Sequence, residues 1–167
     1  MNKRLKQAAV VLLVLFAAAQ LVRPDRVNPP TDTSRTIEAH VGTATGLAAI
    51  LDRACRDCHS NGTVWPWYTQ VAPVSWVMAY GVSKGRKAVN FSEWAAYEPD
   101  QQRMLLIESC QDVSQGKMPG PYTLLHPEMR LSTEDIETIC AAAQQAERGA
   151  QARQRAALRT DAAGVSR

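Results

Sequence analysis

The sequence predicts an all-α domain, and three observations carry that reading. Apolar residues recur at helical spacing, as Leu47, Ile50, Leu51 and Ala54 do. Helix start and stop residues flank such segments, among them Pro73, Pro99, Gly116 and Ser132. No run alternates apolar and polar residues as a strand would, and no internal repeat is present.

A chain of 167 residues allows one compact domain with terminal extensions and excludes a large multidomain enzyme. With 46% hydrophobic and 21% charged residues it can bury a core, which excludes a largely disordered chain. The net charge of +3 comes from the two ends. Lys3, Arg4 and Lys6 open the chain, residues 147–167 carry five Arg against Glu147 and Asp161, and residues 7–146 hold 11 basic and 14 acidic side chains. The domain therefore offers no basic face for nucleic acid.

Residues 1–22 form a signal sequence or membrane anchor. Three basic residues precede the uncharged run from Gln7 to Val22, an arrangement that keeps the N-terminus in the cytoplasm and carries the rest across. The run is about 24 Å long as a helix at roughly 1.5 Å per residue, short for a span and long for a minimal signal core. Ala17, Ala18 and Ala19 offer a cleavage site, whereas Arg23 and Arg26 suit the outer edge of a retained anchor, so both readings stay open. Either one places the domain on the periplasmic side of the cytoplasmic membrane, where disulfides persist.

Residues 23–39, with Pro24, Pro29 and Pro30, read as an extended linker, and the domain proper spans residues 40–146. Its first helix runs from Thr45 into Cys55. A second starts at Pro73 and passes Trp76 and Tyr80 toward Arg86, with Asn90 and Phe91 interrupting after it. Pro99 opens a third, whose shared face is Leu106, Ile107, Cys110 and Val113 and which Gly116 stops. Ser132 caps a fourth, with Asp135 three residues on, Leu131 and Ile136 spaced as a hydrophobic staple, and Ile136, Ile139, Cys140 and Ala143 inward. Residues 147–167 are expected to fray into a basic, flexible tail.

Cys55-Arg56-Asp57-Cys58-His59 has the spacing at which two thiols attach one c-type haem and the adjacent His lies under its iron. A zinc site would need more ligands at short spacing, and a thioredoxin-like site a strand before the pair; neither is present. The pattern thus calls for one covalently attached haem c, held by Cys55 and Cys58, with His59 as proximal ligand.

Around it stand Cys58-His59-Ser60-Asn61, Trp65-Pro66-Trp67-Tyr68, Asn90-Phe91-Ser92-Glu93-Trp94, Met118-Pro119 and Leu125-His126-Pro127-Glu128. Over roughly residues 45–146 this set resembles the haem-binding domain family of exported bacterial proteins related to cytochrome c. The resemblance implies a small cytochrome c-like helical domain with one covalent haem, usually behind an N-terminal membrane segment.

The occupant of the sixth iron position separates electron transfer from ligand chemistry. Met118, in a Gly-Lys-Met-Pro stretch, is the first candidate, and a Met that only fills an apolar wall is the alternative. His126 is the rival ligand, or else a loop histidine bonded to a propionate or carbonyl. Met78 and Met104 read as core, Met129 as packed before the last helix, and His40 as exposed. Trp65, Trp67 and Tyr68 could flank the macrocycle or pack in the core. Lys84, Arg86 and Lys87 could neutralise propionates or form a solvated helix end. Cys110 and Cys140, both inward, could form a disulfide or remain separate thiols.

The expected protein is a monomeric, monohaem c-type electron carrier, not an enzyme, with unnamed redox partner proteins and the membrane as its contacts. A haem sensor with an open sixth position is the alternative, and a thiol or zinc protein without haem a third class.

Overall fold

The computed structural model describes residues 2–41 and 46–165 and is helical throughout, with no strand among them. Its α-helices are α1 (Lys3–Ala19), α2 (Ile37–Val41), α3 (Leu47–Ala54), α4 (Arg56–His59), α5 (Val74–Ala88), α6 (Pro99–Ser114) and α7 (Thr133–Val165). Short 3-10 turns fill several of the connections, including Phe91–Ala96, Gly120–Leu124 and Pro127–Met129.

The first predicted helix begins at Leu47; residues 42–45, and with them the expected start at Thr45, lie outside the described residues. Its apolar face, Leu47, Ile50, Leu51 and Ala54, is buried as the periodicity predicts. The core continues through Ile37, Val89, Phe91, Trp94, Leu106, Val113, Ile139, Ala142 and Ala143. Pro99 stands in the first turn of α6, and Gly116 at φ 68° follows its end, a left-handed position that suits glycine. Ser132 Oγ accepts from Asp135 N at 3.1 Å while Asp135 Oδ2 accepts from Ser132 N at 2.8 Å. This reciprocal pair is the capping box read from the sequence.

Four expectations change. The segment before residue 40 is no separate linker, because long-range hydrogen bonds bind it to the domain and Ile37 lies in the core. Asn28 Nδ2 donates to Thr63 O at 2.8 Å, Arg26 Nη1 to Thr69 O at 2.7 Å, and Asn61 Nδ2 to Pro30 O at 3.1 Å. The expected frayed tail is instead helix through Val165, as its Ala, Gln and Arg content favours. Met104 is exposed on α6 and not core. Finally, no described helix is long and apolar enough to cross a membrane. α1 carries the apolar run but ends at Ala19, where Gln20 turns back to donate to the Phe16 carbonyl and also accepts from Ala72 N at 2.9 Å.

Candidate functional site

Cys55, Cys58, His59, Met118 and His126 open onto one cavity of about 450 Å³. α4 supplies the motif from one side, and the stretch from Met118 to Met129 closes another. Residues some sixty positions apart in the chain are thereby brought to one apolar space.

The motif is a single helical turn: Cys58 N and His59 N both donate to Cys55 O, at 3.2 and 3.0 Å. Residues three apart on a helix share a side, which turns both thiols to the cavity. Burial pushes the Cys55 thiol up to about 12, helped by Cys58, and burial pushes Cys58 up to about 11. Both sulfurs are therefore neutral thiols at neutral pH. His59 Nδ1 lies 3.2 Å from the Val89 carbonyl, which selects the Nδ1–H tautomer and leaves Nε2 as the nitrogen suited to a metal. Burial lowers the His59 pKa, so the ring is held neutral, as a ligand must be. Phe91 packs beside it, with ring centroids 5.8 Å apart.

Two glycines of α5, Gly81 and Gly85, line the cavity, and sequence reasoning missed both. A Cβ on Gly85 would meet the Cys58 carbonyl oxygen, and one on Gly81 would stand 2.3 Å from Tyr122 Oη. Their spacing of four along one helix was the available signal, since it marks a face that a neighbour approaches closely. Tyr122, Thr63, Asp57 and Lys84 also line the cavity and were not singled out as its polar groups, apart from Lys84.

Met118 lines the cavity while part of it faces solvent. Both ring nitrogens of His126 have partners: Nε2 meets the Tyr68 hydroxyl, and Nδ1 lies 2.8 Å from Glu128 Oε1. Met78 and Met129 are also part of the lining.

Other expected groups lie elsewhere. Trp65, Trp67 and Tyr68 are absent from the cavity wall; Trp65 Nε1 donates to Asn28 Oδ1 at 3.2 Å, Trp67 is exposed, and the Tyr68 hydroxyl meets His126 Nε2. Arg86 is not a solvated helix end, because its guanidinium reaches Ser60 O at 2.7 Å, Val27 O at 2.8 Å and Thr63 Oγ1 at 2.9 Å. Lys84 remains at the cavity, its ammonium 5.5 Å from the Tyr80 ring centre. His40, as expected, is exposed, with Nδ1 2.9 Å from Thr36 O. Cys110 and Cys140 are joined between α6 and α7 with an S–S distance of 1.97 Å.

The residues present suit a large, flat, apolar group with a metal at its centre. They combine a mostly apolar wall, two thiols, a neutral imidazole, a thioether and helix glycines that keep space open. Residues 14–145, well over half the chain, match the family model of a haem-binding domain. No curated protein matches the chain, and no solved structure does.

Proposed function

Since the chain belongs to the haem-binding domain family and is a haem-binding protein, we propose that it holds one haem c and carries electrons outside the cytoplasmic membrane. Cys55 and Cys58 would retain the group through thioethers, and His59 and Met118 would hold its iron. The observation that carries this reading is the shared cavity, on which all four side chains open. Haem would supply one-electron exchange at its iron. The protein's part is to present His59 with Nδ1 directed to Val89 O, to offer the Met118 thioether, and to keep water from the centre with an apolar wall. Met118 is favoured over His126 because both nitrogens of that ring already have partners.

Two features support the location. Basic residues open α1 ahead of its apolar run, and the Cys110–Cys140 bridge suits an oxidising compartment. We read the protein as an electron carrier and not as an enzyme, and the acidic balance of residues 7–146 argues against a nucleic-acid partner.

The test is an optical spectrum of the exported protein. A pyridine haemochrome of the two-thioether type is expected, lost when Cys55→Ser and Cys58→Ser are combined. A near-infrared charge-transfer band from thioether to ferric iron is also expected, and Met118→Ala should erase it while lowering the reduction potential. Rapid carbon monoxide binding by the wild type, with no such band, would move the assignment to an open-site sensor.

A further inference from the structure

None of the residues of α1 is buried, and its apolar run from Val10 to Phe16 is exposed on every side. The domain nevertheless grips the end of this helix. Gln20 Oε1 accepts from Ala72 N at 2.9 Å, and the Trp76 indole Nε1 donates to the Val22 carbonyl at 2.8 Å. At that junction a second apolar surface begins. Leu21, Val22, Trp76, Val77 and Tyr80 are all exposed, the last three along one side of α5.

Single exposed apolar side chains are ordinary, whereas a contiguous set beside an uncovered apolar helix calls for a partner. The chemistry of this side says which kind. It continues from Tyr80 to Lys84 and Lys87, both exposed, and α5 contains no acidic residue. Aromatic rings followed by lysines suit the zone where acyl chains give way to anionic headgroups. A protein docked on α5 would leave the run of α1 uncovered, while lipid covers both. Gln20 and Trp76 hold the two surfaces together, so one partner meets them at once.

We propose that this side of α5 rests on the surface of the lipid bilayer into which α1 inserts. The inference rests on the reading of α1 as the part of the chain that meets the membrane; α1 need only enter the acyl layer. In that pose α5 lies along the interface, with Trp76, Val77 and Tyr80 at the headgroup–acyl boundary. The Trp76 N–H is already satisfied by the Val22 carbonyl, so its ring enters apolar surroundings without an unpaired donor. Lys84 and Lys87 lay their stems along the apolar surface and reach lipid phosphates with their ammonium groups. Tyr80 and Lys84 also line the cavity, so the wall that α5 gives the haem site lies against the membrane.

The test uses the full haem-loaded chain in vesicles of mixed phosphatidylcholine and phosphatidylglycerol. One thiol is added at Val77→Cys, or as a control at Glu134→Cys, an exposed position of α7. With Cys55 and Cys58 in thioethers and Cys110 joined to Cys140, the added thiol is the one open to a charged, membrane-impermeant maleimide. Val77 is 58% exposed in the protein alone, yet Val77→Cys on vesicles should label at least about tenfold more slowly than Glu134→Cys. Adding Lys84→Gln and Lys87→Gln should speed its labelling several-fold, because the hold on anionic lipid weakens. Equal labelling of the two thiols on vesicle-bound protein would overturn the proposal and leave the reading of α1 standing. Protection unmoved by the lysine pair would indicate contact between copies of the chain and overturn it likewise. Protein that stays free of the vesicles would take down both the proposal and the reading of α1.

Discussion

The carbonyl oxygen of Cys58 lies 2.3 Å from where a Cβ on Gly85 would stand. The helix that carries the cysteine pair and the helix that walls the cavity thus meet backbone to backbone. Any side chain at Gly85 must push α5 off α4 and widen the site.

Gly85→Ala therefore tests this contact. Inside an ordinary helix the change from Gly to Ala gains roughly 0.5–1 kcal/mol. Here overpacking, which costs about 1–3 kcal/mol, should outweigh that gain, for a net loss on the order of 1–2 kcal/mol. Gly149→Ala in α7 is the control, since its Cβ would meet only Arg153 Nη1, at an ordinary 3.5 Å. Denaturant unfolding should show loss for Gly85→Ala and slight gain for Gly149→Ala; equal effects would contradict the contact.

What was legible in the sequence was local. The inner face of α3, the capping box at Ser132 and the stop at Gly116 follow from the chemistry of a few neighbouring residues. The cysteine pair and its histidine were legible because covalent attachment fixes their spacing. The docking of residues 20–36 was not, because it depends on side chains such as Asn28 and Arg86 reaching carbonyls far away in the chain. A proline-containing polar segment reads the same whether it is tied down or not. The pairing of Tyr68 with His126 was hidden for the same reason, although each residue stood in a segment that had drawn notice.

Arg86 gathers three segments, bonding Ser60, Thr63 and residues 27–28 at once. Arg86→Met keeps much of the stem and removes every one of these donors. Hydrogen bonds from a charged group are worth about 1.5–3 kcal/mol, so a loss of that order is expected. Limited proteolysis should then cut residues 23–36 several times faster than in the wild type. Unchanged cleavage would mean that other contacts hold the segment.

Asp135 gives the stability a pH dependence of known sign. The Ser132 backbone N–H, then the Arg53 guanidinium and the Ser132 hydroxyl, hold its carboxyl below the usual range. Its contribution is present above the unfolded value of about 3.9 and is lost as pH falls through the lower folded value. Asp135→Asn should accordingly unfold more easily near neutrality, and its stability should change less than the wild type's below pH ~4. Ser132→Ala should cost about 1 kcal/mol through the cap. Parallel wild-type and Asp135→Asn curves across the acid range would remove Asp135 from the account.

The bridge between Cys110 and Cys140 spans a sequence separation of 30 and encloses Met118 and His126. Closing a loop of that size restrains the unfolded chain by about 3–4 kcal/mol in the chain-entropy description. It also ties the end of α6, from which the Met118 stretch departs, to α7. Cys110→Ala with Cys140→Ala should lower unfolding stability by about that amount. Reductant should bring the wild type to the same value and leave the double variant unmoved, which separates the bridge from the packing of the two side chains. A non-reduced digest should yield the linked peptides, and alkylation without reductant should label neither cysteine in the haem-loaded protein. If the double variant is destabilised while the wild type ignores reductant, and both thiols alkylate, packing alone accounts for these two positions.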